Sequence, residues 1–130
     1  MRTIKKAKTK KTVKPDKFDE INRRRKEANT RFAKLNSKVY KAFLEMQEVT
    51  FCDGALSRKH KELIASAISV VTNCESCMQW HIEQAMKEGA TVKEVLEAIE
   101  VAIEMGIGPA TVNARFALEV MEKCFNRSTE

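Results

Sequence analysis

The chain has 130 residues, of which 43% are hydrophobic and 32% are charged, and its formal net charge is +6. This length suits a single domain with one core. No apolar run approaches the roughly 18 residues that a membrane-spanning helix needs, and the N-terminus lacks the apolar stretch typical of a signal peptide. We therefore expect a cytoplasmic protein without a membrane partner, whose cysteines serve catalysis or metal binding rather than structural disulfides.

The positive charge is concentrated at the start of the chain. Residues 1–14 contain seven of the 24 basic residues and no acidic one, which leaves 17 basic against 18 acidic residues in the remainder. Residues 1–15 are therefore predicted to form a basic disordered tail, and residues 16–130 a helical domain. A role in binding nucleic acid is disfavoured, because only the tail would support a weak, salt-sensitive contact.

Apolar residues recur at helical spacing throughout the chain, and glycine and proline are scarce, so an all-α fold is predicted. A polar first helix is expected from Asp16 to about Lys34. Ser37 is the predicted N-cap of a second helix, which ends near the Asp53-Gly54 turn. The residues of this second helix expected to face inward are Val39, Phe43, Leu44 and Met46.

The second half of the chain predicts four more helices. Ser57 should cap a third helix, residues 58–71, whose second half is apolar nearly all round and belongs in the core. Asn73 is the predicted N-cap of a fourth helix, residues 74–88, and Gly89 its end. Two further helices follow, one beginning at the Thr91–Glu94 capping box and one at Pro109 after the Gly106–Gly108 turn. Six helices are therefore expected.

The predicted fourth helix carries the residues with the most chemistry. Cys74, Cys77 and His81 fall on one face at about 100° per residue. Cys74 lies in the first turn, where the helix N-terminus favours a thiolate, whereas Cys77 has His81 one turn ahead of it. The spacing allows a disulfide, and a reactive thiol beside a second thiol suffices to reduce a peroxide or a disulfide. Glu62, on the preceding core helix, could orient His81 as its proton partner.

A zinc site is the alternative for the same cluster. Cys74, Cys77 and His81 would supply three tetrahedral ligands, and Glu62, His60 or Cys52 the fourth. Structural zinc sites usually pair two short ligand clusters, and the sequence has no second cluster, so redox chemistry is favoured and no metal or cofactor is expected. Which of the two cysteines attacks first is open at this point, because helix position favours Cys74 and the histidine favours Cys77.

The joint pattern of Glu62 followed by Cys74-x-x-Cys77-x-x-x-His81 resembles the signature of the AhpD-like (alkylhydroperoxidase D) branch of the carboxymuconolactone decarboxylase superfamily. The flanking segments Leu56-Ser57-Arg58, Gly89-Ala90-Thr91 and Met105-Gly106-x-Gly108-Pro109 are similar too. The resemblance covers roughly residues 37–122 and leaves out the basic tail and most of the first helix.

The resemblance implies a mostly antiparallel all-α bundle that assembles as trimers or hexamers. It also implies a thiol peroxidase or disulfide reductase that takes a hydroperoxide or disulfide substrate and a thiol reductant. By this resemblance, Cys77 would attack the peroxide and Cys74 would resolve the sulfenic acid as a disulfide. His81 and Glu62 would form a proton relay. The decarboxylase branch lacks the cysteine pair, which argues against the other alternative, a carboxymuconolactone decarboxylase-type enzyme.

One residue departs from the pattern of the family. Mycobacterial-type members carry a histidine just before the second cysteine, where this chain has Ser76. A hydroxyl can hydrogen-bond a thiolate but cannot shuttle a proton near neutral pH as an imidazole can. The peroxidase rate expected by analogy is therefore lowered, whereas the redox pair is not affected.

The remaining cysteine, histidine and tryptophan residues are predicted to be structural. Cys52 and Cys124 stand among apolar residues and are expected to pack in the core. His60 lies in a basic, exposed turn and receives no role. Trp80 is expected to point away from the Cys/His face and to pack in the core or at a subunit interface.

Overall fold

The structure, a computed structural model, describes residues 14–127. It contains five α-helices, which are α1 (Lys17–Lys34), α2 (Lys38–Thr50), α3 (Arg58–Val71), α4 (Glu75–Lys87) and α5 (Val92–Asn126). This range holds no strand, so the all-α prediction is confirmed for it. None of the helices in this range combines the length and the apolar character that crossing a membrane requires. The predicted basic tail, apart from Lys14 and Pro15, lies outside the described residues.

Side-chain caps explain where most helices begin. The side chains of Asp16, Ser37, Ser57 and Thr91 each accept a hydrogen bond from a backbone N–H in the first turn of the helix that follows. Thr91 and Glu94 form the predicted reciprocal capping box. The predictions for the starts of α2, α3 and α5 are therefore confirmed.

The predicted N-cap of α4 was wrong by one residue. Asn73 has a φ of 54° and ends α3, because its N–H donates to Val70 O and the next N–H donates to Ser69 O. This is the arrangement in which a left-handed residue, often glycine or asparagine, terminates a helix. The role of N-cap passes to Cys74, whose Sγ accepts from the Cys77 N–H at 3.3 Å.

The prediction of six helices was also wrong. The chain continues as α5 through a kink at Ile107, where φ is 50° and ψ is −131°. The departure from helical geometry is one residue wide, and Pro109 follows it in the first turn of the continuing helix, where a missing N–H does little harm. The Gly106–Pro109 segment therefore forms a sharp kink between two helical parts of α5.

The core lies where α3, α4 and α5 pack on one another. Its fully buried side chains include Met78, Ile82 and Ile99, and Phe18 and Ile21 of α1 pack against its edge. The prediction that α2 faces inward was wrong, because α2 has no buried residue. It packs chiefly on α1 and not on the core that α3, α4 and α5 form, so Val39, Phe43, Leu44 and Met46 remain 44–81% exposed.

Candidate functional site

Cys74 and Cys77 are joined by a disulfide at the N-terminal end of α4. Cys74 occupies the N-cap and Cys77 the first turn, with 5.2 Å between their Cα atoms. Both side chains are half-buried. The structure therefore contains the cysteine pair in its disulfide form, which the Cys-x-x-Cys spacing allows.

His81 and Glu62 are brought together by the tight connection between α3 and α4. The turn at Thr72 and Asn73 folds α3 back along α4, and His81 Nδ1 lies 2.7 Å from Glu62 Oε2. Glu62 is only 1% exposed. A buried carboxylate at this distance fixes the orientation of the imidazole and engages Nδ1, which leaves Nε2 as the ring nitrogen available for proton transfer.

Arg58 completes the surroundings of Glu62 and was not predicted to have a role. Its Nε lies 3.6 Å from Glu62 Oε1 and 3.4 Å from Glu88 Oε1, so it contributes positive charge to the buried carboxylate. Arg58 precedes Glu62 by four residues on α3, which places the two side chains on one face of the helix. This spacing was a usable signal for the contact, because residues four apart on a helix are neighbours.

Phe51 covers the imidazole from the side of α2. It is the C-cap of α2, and its ring stacks on His81 with 5.2 Å between the ring centroids. The sequence carries no signal for this contact, because it depends on where α2 ends relative to α4. The stacking adds a second restraint on His81, next to the one from Glu62.

A pocket of about 410 Å³ opens beside the disulfide, between α1, α2 and α4. It is lined by Arg25 of α1, by Tyr40 and Phe43 of α2, and by Cys77, Trp80 and His81 of α4. The expectation that Trp80 points away from this face was wrong. The indole extends from α4 toward α1, and the Arg25 guanidinium lies 4.6 Å from the centroid of the Trp80 ring. Of the two cysteines, Cys77 is the one that lines the pocket.

Of the residues considered as a fourth zinc ligand, Glu62 lies against His81. Among residues 14–127, no three His, Cys, Asp or Glu side chains are grouped so that they could hold a metal ion. His60 Nδ1 lies 2.7 Å from Ser57 Oγ at the start of α3, and the imidazole is exposed as expected.

The two cysteines outside the disulfide differ from each other. Cys124 is buried in the core near the end of α5, as predicted. The prediction for Cys52 was wrong, because it is exposed just beyond α2, which packs none of its residues into the core. The Cys52 thiol donates to Val49 O at 2.9 Å.

Cys124 is expected to be a poor nucleophile. Burial, with a smaller contribution from Glu83, raises the pKa of the Cys124 thiol to about 11. Because the thiolate is the reactive form and an ordinary thiol has a pKa of about 8.5, iodoacetamide should label Cys124 on the order of a hundredfold more slowly in native than in denatured protein at pH 8. The rate should rise with pH until about pH 11. Mass spectrometry of the Cys124 peptide checks this, and equal rates in the two states would contradict it.

Comparison with known proteins identifies the family. The model of the carboxymuconolactone decarboxylase family matches residues 37–120. Protein 4 in the cox locus of Paracoccus denitrificans is 41% identical over 91 residues, which are 70% of this chain and 82% of that protein. A protein of Cupriavidus necator is 33% identical over 102 residues, which are 76% of this chain and 90% of that protein.

Solved structures support the same assignment. A carboxymuconolactone decarboxylase family protein of Legionella pneumophila superposes with a TM-score of 0.80 at 34% identity, over 85% of this chain and 98% of the other. A family member from Thermotoga maritima, for which involvement in antioxidative response has been suggested, superposes with a TM-score of 0.77 at 24% identity. It covers 85% of this chain and 93% of its own, and at that identity the likeness shows the fold. The chain belongs to the carboxymuconolactone decarboxylase family.

Proposed function

We propose that this protein is a thiol-dependent peroxidase or disulfide oxidoreductase of the AhpD-like branch of the family. The observation that carries the proposal is the disulfide at the start of α4, whose Cys77 lines a pocket together with His81, itself held by the buried Glu62. A cysteine pair able to alternate between dithiol and disulfide, beside a restrained imidazole, suits reduction of an O–O or S–S bond.

The proposed cycle begins at Cys77. His81 takes the proton of the Cys77 thiol, and the thiolate attacks the outer oxygen of a hydroperoxide, so that an S–O bond forms as the O–O bond breaks. The departing alkoxide takes the proton back from His81 and leaves as an alcohol. Cys77 is thereby oxidised to the sulfenic acid.

Cys74 and an external dithiol complete the cycle. The Cys74 thiol attacks the Cys77 sulfur, a disulfide forms and water leaves. A dithiol reductant then opens this bond through a mixed disulfide, is itself oxidised to a disulfide, and restores both protein thiols. A disulfide substrate would be reduced by the Cys74/Cys77 dithiol through the same exchange chemistry, which again leaves the protein in its disulfide form. The proposal places the enzyme in the cytoplasm, where thiol reductants are abundant.

The proposed division of roles follows from exposure. Cys77 faces the pocket and is the attacking thiol, while Cys74 is its resolving partner. Glu62 is too buried to meet a substrate and acts by holding His81. Ser76 is exposed and offers only a hydroxyl, so we expect a lower rate than in members with a histidine there.

We further propose that the protein works as a homo-oligomer, a trimer or a hexamer. The support is the apolar surface of α2, where Val39 is 81%, Val49 72% and Met46 60% exposed. A helix that leaves such residues in water gains stability when a second copy covers them. Sedimentation equilibrium should therefore give the mass of three or six chains. A single chain at micromolar concentration would contradict the proposal.

The activity is tested by following hydroperoxide consumption with a dithiol such as dihydrolipoamide as the electron source. The wild-type protein should consume peroxide catalytically and cycle between the dithiol and disulfide forms. The double variant Cys74→Ser/Cys77→Ser serves as the blank for the uncatalysed reaction. A wild-type rate equal to this blank, with hydroperoxides and with disulfides alike, would refute the function.

A further inference from the structure

The pocket beside Cys77 has an apolar body with a single guanidinium at its rim. Tyr40, Phe43 and Leu44 of α2 face Trp80 of α4 across it, and Arg25 reaches in from α1. Aromatic and aliphatic walls of this kind bury an apolar ligand, while one charged group sets its orientation. Arg25 therefore indicates which polar group the ligand carries.

Arg25 is held in place by neutral groups. Its guanidinium lies 4.6 Å above the Trp80 ring centroid, and its Nη1 donates to Ser76 O at 3.4 Å. Its Nη2 donates to Asn22 Oδ1. These contacts fix the guanidinium over the first turn of α4, next to the residue that carries the reactive sulfur.

The neighbouring arginines of α1 are neutralised, whereas Arg25 is not. Arg23 pairs with Glu20 and Glu27, and Arg24 pairs with Glu20 at 2.7 Å. Within residues 14–127, Arg25 has no ion pair with a carboxylate. Burial lowers the pKa of the Arg25 guanidinium, and a more distant influence of Glu83 only partly opposes this. A partly desolvated cation without an ion-pair partner gains most from an anion brought by a ligand.

Resting on the proposed function, we propose that the pocket selects hydroperoxides of apolar carboxylic acids, with Arg25 binding the carboxylate and Trp80, Tyr40 and Phe43 holding the carbon skeleton. A planar guanidinium matches a carboxylate through two parallel N–H···O bonds, which is the reason for naming a carboxylate. In this pose the charged end is anchored near Ser76, and the O–O bond lies along the wall that Cys77 and His81 form. Arg25 is thus a specificity-determining residue of α1, outside the cysteine motif.

Trp80 provides a direct measurement of binding. It is the only tryptophan of the chain. Because the indole also borders a neighbouring pocket at Phe51 and Arg58, the Arg25 variants are needed to assign a fluorescence change to this pocket. Octanoate and octan-1-ol share a hydrocarbon chain and differ in charge, and neither reacts with a thiol. For the full-length protein in its disulfide form, we expect octanoate to bind about tenfold more tightly than octan-1-ol, as befits one charge-assisted contact at a partly exposed site.

Two variants assign the preference to Arg25. Arg25→Gln should reduce the ratio of the two dissociation constants to about one, while Arg25→Lys, which keeps the charge but loses the planar fork, should retain part of it. Arg24→Gln is the matched control, since it removes the same charge from the adjacent, exposed position of α1 and should leave the ratio as in wild type. Equal binding of octanoate and octan-1-ol by the wild type would overturn the inference. So would an equal loss in Arg24→Gln and Arg25→Gln.

Turnover separates this inference from the proposed function. A fatty-acid hydroperoxide should have a kcat/KM about tenfold above that of its methyl ester, through KM, and Arg25→Gln should abolish the difference. Selective binding of octanoate without any peroxide turnover would refute the function and leave the carboxylate site standing. Turnover with no preference between acid and ester would refute the carboxylate site and leave the function standing.

Discussion

Replacing Cys77 by serine is expected to lower the rate of peroxide consumption at least ~1000-fold, because a hydroxyl is not ionised near neutral pH and is a far weaker nucleophile than a thiolate. Cys74→Ser should behave differently. It should still consume about one peroxide per chain in a first turnover and accumulate a sulfenic acid on Cys77, since the resolving thiol is missing. Stopped-flow measurement of the first turnover, with dimedone trapping and mass spectrometry, distinguishes the two variants.

The same two variants also show which cysteine attacks the peroxide. Cys77 faces the pocket and Cys74 serves as the N-cap of α4, which is why we assign attack to Cys77. Dimedone on Cys74 in the Cys77→Ser protein, together with a retained first turnover, would reverse the assignment. Cys52→Ser is the matched control, because it replaces an exposed thiol outside the disulfide and should keep the wild-type rate.

The second large effect is expected for Glu62→Gln. The amide has nearly the shape of the carboxylate but lacks the negative charge that holds His81 Nδ1 at 2.7 Å and stabilises the imidazolium formed during catalysis. We expect kcat to fall roughly 10²- to 10⁴-fold, which is the usual contribution of general acid–base catalysis, with little change in KM. Because Glu62 acts through His81, the pH profile of kcat/KM should also change in shape.

Glu88→Gln is the control for this variant. Glu88 shares the partner Arg58 with Glu62, at 3.4 Å, but is partly exposed and does not contact His81. Removing its charge should therefore leave both the rate and the pH profile close to those of wild type. If the two substitutions lower kcat equally, the effect comes from the charge balance around Arg58, and the proposed role of Glu62 is wrong.

The elements that local chemistry determines were predicted well. Ser37, Ser57 and Thr91 begin helices because their side chains satisfy backbone N–H groups within the same turn, and Gly89 ends α4 with a φ of 86°. The meeting of Glu62 and His81 could also be predicted, since only three residues, Thr72, Asn73 and Cys74, separate their helices.

Two predictions about helix ends were wrong because the same residues suit two different local structures. Asparagine can begin a helix or end one, and the hydrogen bonds that close α3 decide that Asn73 ends it. Similarly, the Gly106–Pro109 segment can separate two helices or bend one, and the non-helical geometry is confined to Ile107. In both cases the sequence pattern is the same for either outcome, and the packing of the flanking helices selects between them.

The sequence by itself determined the helical class, the cysteine pair with His81 one turn later, and the position of Glu62 on the preceding core helix, because spacing along a helix and across a short turn requires no distant contact. Only the tertiary structure decided that Arg58 lies against Glu62, that Phe51 stacks on His81, and that Arg25 and Trp80 border the pocket at Cys77. The contacts of Phe51 and Arg25 join helices far apart in the chain, and α2 is exposed because it packs chiefly on α1 and not on the core. Such contacts follow from how the helices pack, which no local pattern specifies.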